Sequence, residues 1–577
     1  MKIVIIGAVA AGTSAAAKAR RNDEEAEIKL YEMDSDISYA GCGLPYYIGT
    51  EVESRAELVP RDTAFFKKKY NVDIHVRHRV VEIDPVAKLL TVENMSSGQV
   101  FQDSYDKLVI STGARSVVPP IEGVASANVF TLRNVISADK IRNYIIEHSP
   151  ATALIVGSGF IGIELAENLS ARGIHVSMVE MADHVMASLD KDIAIYLEKH
   201  LREKGVSLFL NDSVVKLGDK AVLKSGNTID ADLVIVSVGA KPNTELAAKA
   251  GIEIGSTGAI HVNKRMQTNF EDIYACGDCA ESYSLITGKP IYRPLGSTAN
   301  KTGRIVGEQL AGNNLEFRGI LGTSIFRAFE LTVAQTGLSE KEALQEGYDI
   351  VTCHNMKYDK PEYLHGKEML IKAVADRNTG KVLGAQIIGK AGVDKRIDVF
   401  ATAISFGAKA EDLFHLDLAY APPFSTAKDP VMYTGMILDN AINRNRKLIS
   451  PEKLKEKIED GDDLHIIDAR LDDQFGQSHV KGAENIPLEY MREAADTLDR
   501  DKLIVAYCNR GVTSNAAQNI LINRGFKNAY NLSGGYSNFK MCHESFCVDK
   551  SVDVEDKTGI DISEKDTGIK DVSNKNQ

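Results

Sequence analysis

At 577 residues the chain is too long for one hydrophobic core, and roughly 150 residues per domain gives about four domains. A composition 44% hydrophobic and 26% charged is that of a folded globular protein, not a disordered or fibrous one. The net charge of −12 speaks against nucleic acid, which selects basic faces, and with no stretch approaching ~18 apolar residues no membrane span is expected.

The chain opens on KIVIIGAVAAGTSAAAKAR, which predicts a buried strand, a tight turn at Gly7 and a helix from near Gly12. The next strand, EIKLYE, ends at Glu32. Such a unit binds a dinucleotide, with the pyrophosphate at the helix N-terminus and the acid on a ribose hydroxyl. Val9 stands where G-x-G-x-x-G has its middle glycine, so the first turn alone is an incomplete match. The short apolar start runs straight into this turn, a pattern with no use in a cleavable leader.

Cys42 follows in the glycine- and proline-bounded segment SYAGCGLPYY. A catalytic thiol there needs access and a lowered pKa; the alternative is a buried packing cysteine. Tyr47 occupies the position where a C-x-x-x-x-C pair would place its second cysteine. A redox-active Cys42 must therefore cycle through a sulfenic acid or a mixed disulfide with its substrate. The run Lys67, Lys68, Lys69 reads as a solvated helix face.

Residues 153–180 repeat the strand–turn–helix–strand unit with Gly157, Gly159 and Gly162 in place and Glu180 at the end of the second strand. An acid there accepts a ribose diol and repels a 2′-phosphate, which favours NADH over NADPH. Further on lie STGARSVVPP (111–120 in chain order, before this unit), VSVGAKPN (236–243) and TNFEDIYACGDCA (268–280). In the last, Cys276 and Cys279 have the spacing of a redox or zinc pair, but no second pair follows at zinc-site spacing and no metal site is expected.

From Arg444 the sequence turns polar (NRNRKLISPEKLKEKIEDGDD), as expected of a linker entering a new first helix. LHIIDAR (464–470), HVKGAENIP (479–487), KLIVAYCNRGVTS (502–514) and YNLSGGY (530–536) follow. Cys508 ends a buried strand and precedes a helix, so a persulfide on it would meet successive loop N–H groups and a helix N-terminus. Cys542 and Cys547 could pair as a regulatory disulfide, and the polar tail that follows reads as disordered. The seven cysteines form no small-domain disulfide framework and fit a reducing, cytoplasmic setting.

The motifs of 1–280 resemble the two-dinucleotide-domain flavoprotein disulfide reductases, and the lone Cys42 their single-cysteine branch, closest to coenzyme A disulfide reductase and CoA-dependent persulfide reductase. DKRIDV (394–399) and LAYAPPFSTAKDP (418–430) are similar to that family's dimerisation domain, and 456–547 resembles a rhodanese domain. The resemblance implies an α/β protein with two Rossmann-like dinucleotide-binding domains. FAD binds at 1–149 with 245–322 and NAD(P)H at 150–244. An α+β dimerisation domain (323–441), a linker (442–455), the rhodanese domain (456–547) and the tail (548–577) complete it.

It further implies FAD contacts at Gly7, Ala10, Ala11, Gly12, Glu32, Thr112, Gly113, Gly277 and Asp278, the last on the ribityl chain. The nicotinamide dinucleotide is assigned to Gly157, Gly159, Gly162, Glu164, Glu180 and Gly239, and CoA to Ser14, Lys18, Arg21, Ser38, Asn300 and Lys428. Lys18 and Asn300 depart from the glutamine and histidine of some members, and Gly41 replaces a polar residue. Ala10 stands where related oxidases and peroxidases carry a histidine, so peroxide chemistry lacks its acid–base group. Tyr420, and by a looser match Tyr363, would reach the partner subunit's site and protonate a departing CoA thiolate. In the rhodanese loop, Asn509, Arg510, Gly511, Val512, Thr513 and Ser514 follow the Cys508 nucleophile, Arg510 attracting an anionic donor or acceptor.

The function expected is an NADH-dependent homodimeric flavoenzyme that reduces CoA persulfide, polysulfide or CoA disulfide through Cys42. The rhodanese delivers or accepts sulfane sulfur. A sulfurtransferase with a recycling reductase half, an NADH oxidase or peroxidase, and a redox sensor are the other readings.

Overall fold

The structure, a computed structural model, describes residues 1–549. It forms two compact units, Met1–Arg444 and one beginning at Asn445. In the first, the apolar strand Lys2–Ile6 lies at the centre of a parallel sheet ordered Ile273–Ala275, Lys107–Ile110, Lys2–Ile6, Glu27–Tyr31, Asp73–His75. Such strands are covered on both faces and therefore read as continuous hydrophobic runs. A second five-stranded parallel sheet repeats the plan in the order Ser207–Phe209, His175–Val179, Thr152–Val156, Leu233–Val236, Val129–Phe130. In each sheet the glycine turn leaves the carboxyl end of a central strand, where open α/β sheets bind ligands.

The third part of this unit is a five-stranded antiparallel sheet, ordered Ser324–Ala328, Leu331–Gly337, Val382–Gly389, Glu368–Asp376, Ile350–Tyr358. The helices Val393–Ser405 and Pro430–Asn443 pack on it. A buried ion cluster joins it to the second parallel sheet's domain. Lys372, 2% exposed, lies 2.8 Å from Asp192, 3.2 Å from Asp190 and 2.6 Å from Glu340. His354 Nε2 sits 2.6 Å from the same Asp192. Burial alone would raise the Asp192 carboxyl, but Lys372 and His354 hold it well below the usual range.

The second unit carries a parallel sheet ordered Leu448–Ile449, Ala529–Leu532, Leu503–Tyr507, Leu464–Asp468, Glu484–Asn485. The helices Pro451–Glu459, Val512–Asn523 and Gly535–Cys542 complete it. The stretch 442–455, expected as a linker, is largely regular structure. The helix Pro430–Asn443 runs into it, Leu448–Ile449 is an edge strand, and Ser450 caps the helix Pro451–Glu459 with a proline in its first turn. A two-residue strand within a charged segment is too short to show in composition. Of the expected tail, Val548 and Asp549 continue a strand paired with Ser478–Val480, and the remainder lies outside the described residues.

Candidate active site

The first glycine turn is built for close approach. Gly7 has φ +100°, and a Cβ there would collide with the Ser111 carbonyl; at Gly12 it would strike the Gly7 carbonyl. Val9, the departure from the pattern, is the N-cap of the helix Ala10–Asn22 at φ −99°, a conformation that asks for no glycine. Glu32 accepts from the Ala8 amide at 2.8 Å and the Asp34 amide at 3.0 Å. Burial pushes its carboxyl up against those two amides. Thr112 and Asn243 exchange hydrogen bonds of 2.8 Å, fixing the bend before Gly113. Gly277 (φ +77°) packs on Ala11, and Asp278 accepts from Arg133 at 3.2 Å, a partner that sequence reasoning missed. The residues thus fit a flavin dinucleotide: a tight turn, an acid just past the second strand and a second acid at Asp278, with Ala10 and Ala11 opening the helix.

The second turn has the same build. Gly157 (φ +101°) abuts Ser237 and Gly162 abuts Gly157, whereas a Cβ at Gly159 or Gly239 would meet no protein atom. Glu180 accepts from the Ser158 amide (2.9 Å), the Ser158 hydroxyl (2.7 Å) and the Ala182 amide (2.9 Å). Against its burial, these donors hold its carboxyl below the usual range. This turn fits a pyridine nucleotide. Glu164 on the helix Phe160–Ser170 accepts from Tyr46 Oη at 3.3 Å. Burial raises it to about 7.

Cys42 lies in a single helical turn, Gly41–Gly43, and is exposed. Its thiol is not lowered as expected of a catalytic thiolate. Desolvation by the surrounding wall pushes it up, and the Glu164 and Asp278 carboxylates add to this. Tyr47 is buried and donates to Asp139 at 3.0 Å, a packing role.

A cavity of about 530 Å³ runs from the first helix to Ala40, two residues before Cys42. It gathers Ser14, Lys18, Arg21, Ser38 and Asn300 of the expected CoA set, with Arg61, Tyr70 and Arg304 besides. The latter three were missed because nothing local to them in sequence signals a shared wall. Ser14 donates to Asn300 at 2.8 Å, and Arg21 donates to Tyr70 Oη at 3.2 Å. Lys18 is paired with Glu308 at 2.9 Å. Lys428 does not line this cavity; with Tyr420 and Tyr363 it belongs to the antiparallel-sheet part, where the two rings are 52% and 73% exposed.

Cys276 and Cys279 are fully buried, and Cys279 Sγ donates to the Ile110 and Cys276 carbonyls at 3.4 and 3.3 Å. Burial raises both thiols, so the pair packs beneath the flavin turn. Among the described residues no cluster of three or more metal-ligating side chains occurs, and no helix is long and apolar enough to cross a membrane. Lys67 pairs with Asp73 at 2.8 Å on an exposed helix face.

In the second unit Cys508 is 5% exposed and Ser514 Oγ lies 3.4 Å from its sulfur. Ser514 also donates to Asn531 at 2.7 Å, and Asn531 donates to the Gly511 carbonyl at 3.1 Å. The loop is clamped by SGGY: the Tyr536 amide donates to the Cys508 carbonyl at 2.8 Å and the Ser537 amide to Asn509 at 3.1 Å. A Cβ on Gly535 (φ +66°) would collide with that Cys508 carbonyl. Arg470, paired with Asp468, reaches Asn509 Oδ1 at 3.1 Å. Gly511 (φ +87°) is the N-cap of Val512–Asn523, whose first turn holds Thr513; Arg510 is half-buried beside it. Cys542 and Cys547 are not joined in a disulfide, and burial raises the Cys547 thiol.

Three family patterns match: "Pyridine nucleotide-disulphide oxidoreductase" over residues 1–292, its dimerisation domain over 323–430 and "Rhodanese-like domain" over 450–542. The chain is 38% identical over 444 residues to the "NAD(P)H coenzyme A polysulfide/persulfide reductase" of Pyrococcus horikoshii, covering 76% of this chain and 98% of that one. Reduced Bacillus anthracis CoADR-RHD is 37% identical, with a TM-score of 0.92 over 95% of this chain and 99% of that one. The NAD-dependent persulfide reductase of A. fulgidus is 38% identical, with a TM-score of 0.87 over 93% and 100%. Two dinucleotide turns, an exposed cysteine beside one of them, an antiparallel third domain and a second unit with its own cysteine loop agree with these matches: the chain belongs to the pyridine nucleotide-disulphide oxidoreductase family and carries a C-terminal rhodanese-like domain.

Proposed function

We propose that the protein is an NADH-dependent reductase of CoA persulfide and polysulfide, working as a cytoplasmic homodimer, with CoA disulfide as a second substrate. The observation that carries this reading is the placement of Cys42. The exposed thiol follows directly on a wall of a cavity lined by Arg21, Arg61 and Arg304, which suits the phosphates of CoA. A flavin at the first turn, served by NADH at the second, supplies electrons in pairs. Glu180, an ionised acid satisfied by Ser158 and Ala182, suits a ribose diol and disfavours the 2′-phosphate of NADPH.

The Cys42 thiolate attacks a sulfur of the substrate's S–S bond. Attack on the CoA sulfur of a persulfide forms Cys42–S–S–CoA and releases hydrogen sulfide; attack on the outer sulfur forms a Cys42 persulfide and releases CoA thiolate. Two electrons then break the new bond and restore the Cys42 thiolate. The Tyr420 hydroxyl, from the partner subunit, donates a proton to the leaving thiolate, and Tyr363 is a second such donor. Lys428 contacts the CoA phosphates from that subunit. Cys508 holds sulfane sulfur, stabilised by the loop N–H groups, and exchanges it with CoA. The tether raises the effective concentration of that exchange.

Anaerobic NADH oxidation by the wild type and Cys42→Ser, with CoA persulfide, polysulfide and CoA disulfide offered separately, tests the proposal. Persulfide or polysulfide turned over fastest, and only with Cys42 present, is the expected result. Use of CoA disulfide alone would make it a thiol-pool reductase, and turnover without Cys42 would refute the mechanism.

A further inference from the structure

Arg396 is 1% exposed, in the helix Val393–Ser405 that packs on the antiparallel sheet. A guanidinium taken fully out of water is costly unless its donors are matched. Here the matches lie on two separate loops. Its Nη2 donates to the Asp359 carbonyl at 2.8 Å and to Ser425 Oγ at 3.2 Å, and lies 2.9 Å from Asp429 Oδ2. Its Nε donates to the same carboxylate at 3.2 Å and its Nη1 to the Gly392 carbonyl at 3.2 Å.

Asp359 and Ser425 stand at the roots of the two loops that carry the exposed tyrosines, and Gly392 caps the helix of Arg396 itself. Asp359 closes the first loop: its amide donates to the Lys367 carbonyl at 2.9 Å and its Oδ1 accepts from the Lys367 amide at 2.5 Å. Tyr363 sits between them in the turn Glu362–Leu364. Ser425 closes the second: its amide donates to the Ala421 carbonyl at 3.1 Å, directly after Tyr420. Its hydroxyl donates to Asp429 at 2.8 Å, and Asp429 in turn caps the helix Pro430–Asn443 through the Val431 amide at 3.0 Å. Ser425 and Asp429 are themselves 1% and 3% exposed, so the roots are buried while the rings they hold out are not.

Only a planar fork spans a carboxylate, a carbonyl and a hydroxyl together; an ammonium ion presents a point charge. The fold makes room for the fork as well, since a Cβ on Gly392 (φ +70°) would collide with Arg396 Nη1.

We propose that Arg396 is a positioning residue for the reduction, the buried hub that holds the Tyr363 and Tyr420 loops at one fixed separation. The inference rests on the reading of those tyrosines given above. The test is a set of double-mutant cycles in the FAD-loaded full-length dimer, joining Arg396→Lys to Tyr420→Phe and to Tyr363→Phe, with kcat for CoA persulfide as the readout. The rate of NADH-to-flavin hydride transfer and the sedimentation mass are followed alongside. Lys395, 3.6 Å from Asp429, is still present to share that charge in the lysine variant.

The expected result is a fall in kcat of roughly ten- to a hundredfold for Arg396→Lys, the size that misplacement of a reacting group produces. Hydride transfer and dimer mass stay as in the wild type, and the loss largely disappears when Tyr420 is already phenylalanine. Ser425→Ala, which removes one arm only, is expected to couple to Tyr420 and not to Tyr363, and it decides the matter if Arg396→Lys fails to fold. Additive losses, or a loss shared equally by the hydride step, overturn the inference while leaving the tyrosine reading intact. Tyrosine variants that turn over at the wild-type rate overturn that reading, and the inference with it.

Discussion

The two cysteines to which the proposed function assigns chemistry occupy opposite settings. Cys508 is buried in a loop that opens a helix of 12 residues, with the Ser514 hydroxyl 3.4 Å from its sulfur and its own carbonyl clamped by Tyr536. The loop backbone is thus held by contacts from within its own unit. Cys42 is exposed on a single helical turn, and what surrounds it, burial first and then Glu164 and Asp278, favours the protonated thiol. A thiolate at Cys42 must draw its stabilisation from groups brought to it, namely bound cofactor, substrate and partner subunit. On the proposed reading, one cysteine carries sulfane sulfur within a fixed loop and the other reacts only with its cofactor and substrate in place.

The sharpest way to break this contrast is to exchange the losses. Cys42→Ser should lower NADH-driven reduction of preformed CoA persulfide by about a thousandfold or more, as removal of a covalent nucleophile does. Cys508→Ser should leave that same reaction within about twofold while abolishing sulfane transfer from thiosulfate; steady-state NADH consumption and thiocyanate formation read the two. Next in size, Tyr420→Phe should reduce kcat with CoA persulfide by about a hundredfold, the range of a lost general acid, with hydride transfer unchanged by stopped flow.

Glu164→Gln sharpens the comparison through pH. The Glu164 carboxyl gains its charge as pH rises through about 7, and that charge opposes the Cys42 thiolate. Above pH 7 the glutamine variant should therefore alkylate faster at Cys42 with iodoacetamide, by roughly threefold, the equivalent of somewhat under 1 kcal/mol. Below it, where Glu164 is already neutral, the two profiles should merge. Of similar size is Ser514→Ala, which removes one hydrogen bond from the Cys508 sulfur. Sulfane transfer should slow by about fivefold, in line with roughly 1 kcal/mol for one such bond, with no change in CoA persulfide reduction.

Where structure is carried by local pattern, the sequence was readable. Both glycine turns, the acids Glu32 and Glu180, and the Cys508 loop sit where strand, turn and helix signals place them. Val9 misled only in part, because the middle position packs on no protein: even Gly159 has open space where its Cβ would be. What stayed hidden depends on residues far apart in sequence. Arg61, Tyr70 and Arg304 join one cavity wall only after folding, Arg133 reaches Asp278 across 145 positions, and Lys18 is taken by Glu308. The edge strand Leu448–Ile449 escaped notice because two residues show no periodicity. The raised Cys42 thiol could not be read from its neighbours either, since Glu164 and Asp278 lie far from it in sequence.

The most direct test of this division of labour is peptide-level mass spectrometry of the full-length protein, its thiols reduced and the reductant removed, after separate anaerobic incubations with CoA disulfide and with thiosulfate in the absence of NADH. The account predicts a CoA mixed disulfide on Cys42 from the first and an added sulfur atom on Cys508 from the second. CoA attached to Cys508, or sulfane sulfur from thiosulfate on Cys42 in the Cys508→Ser variant, would contradict it.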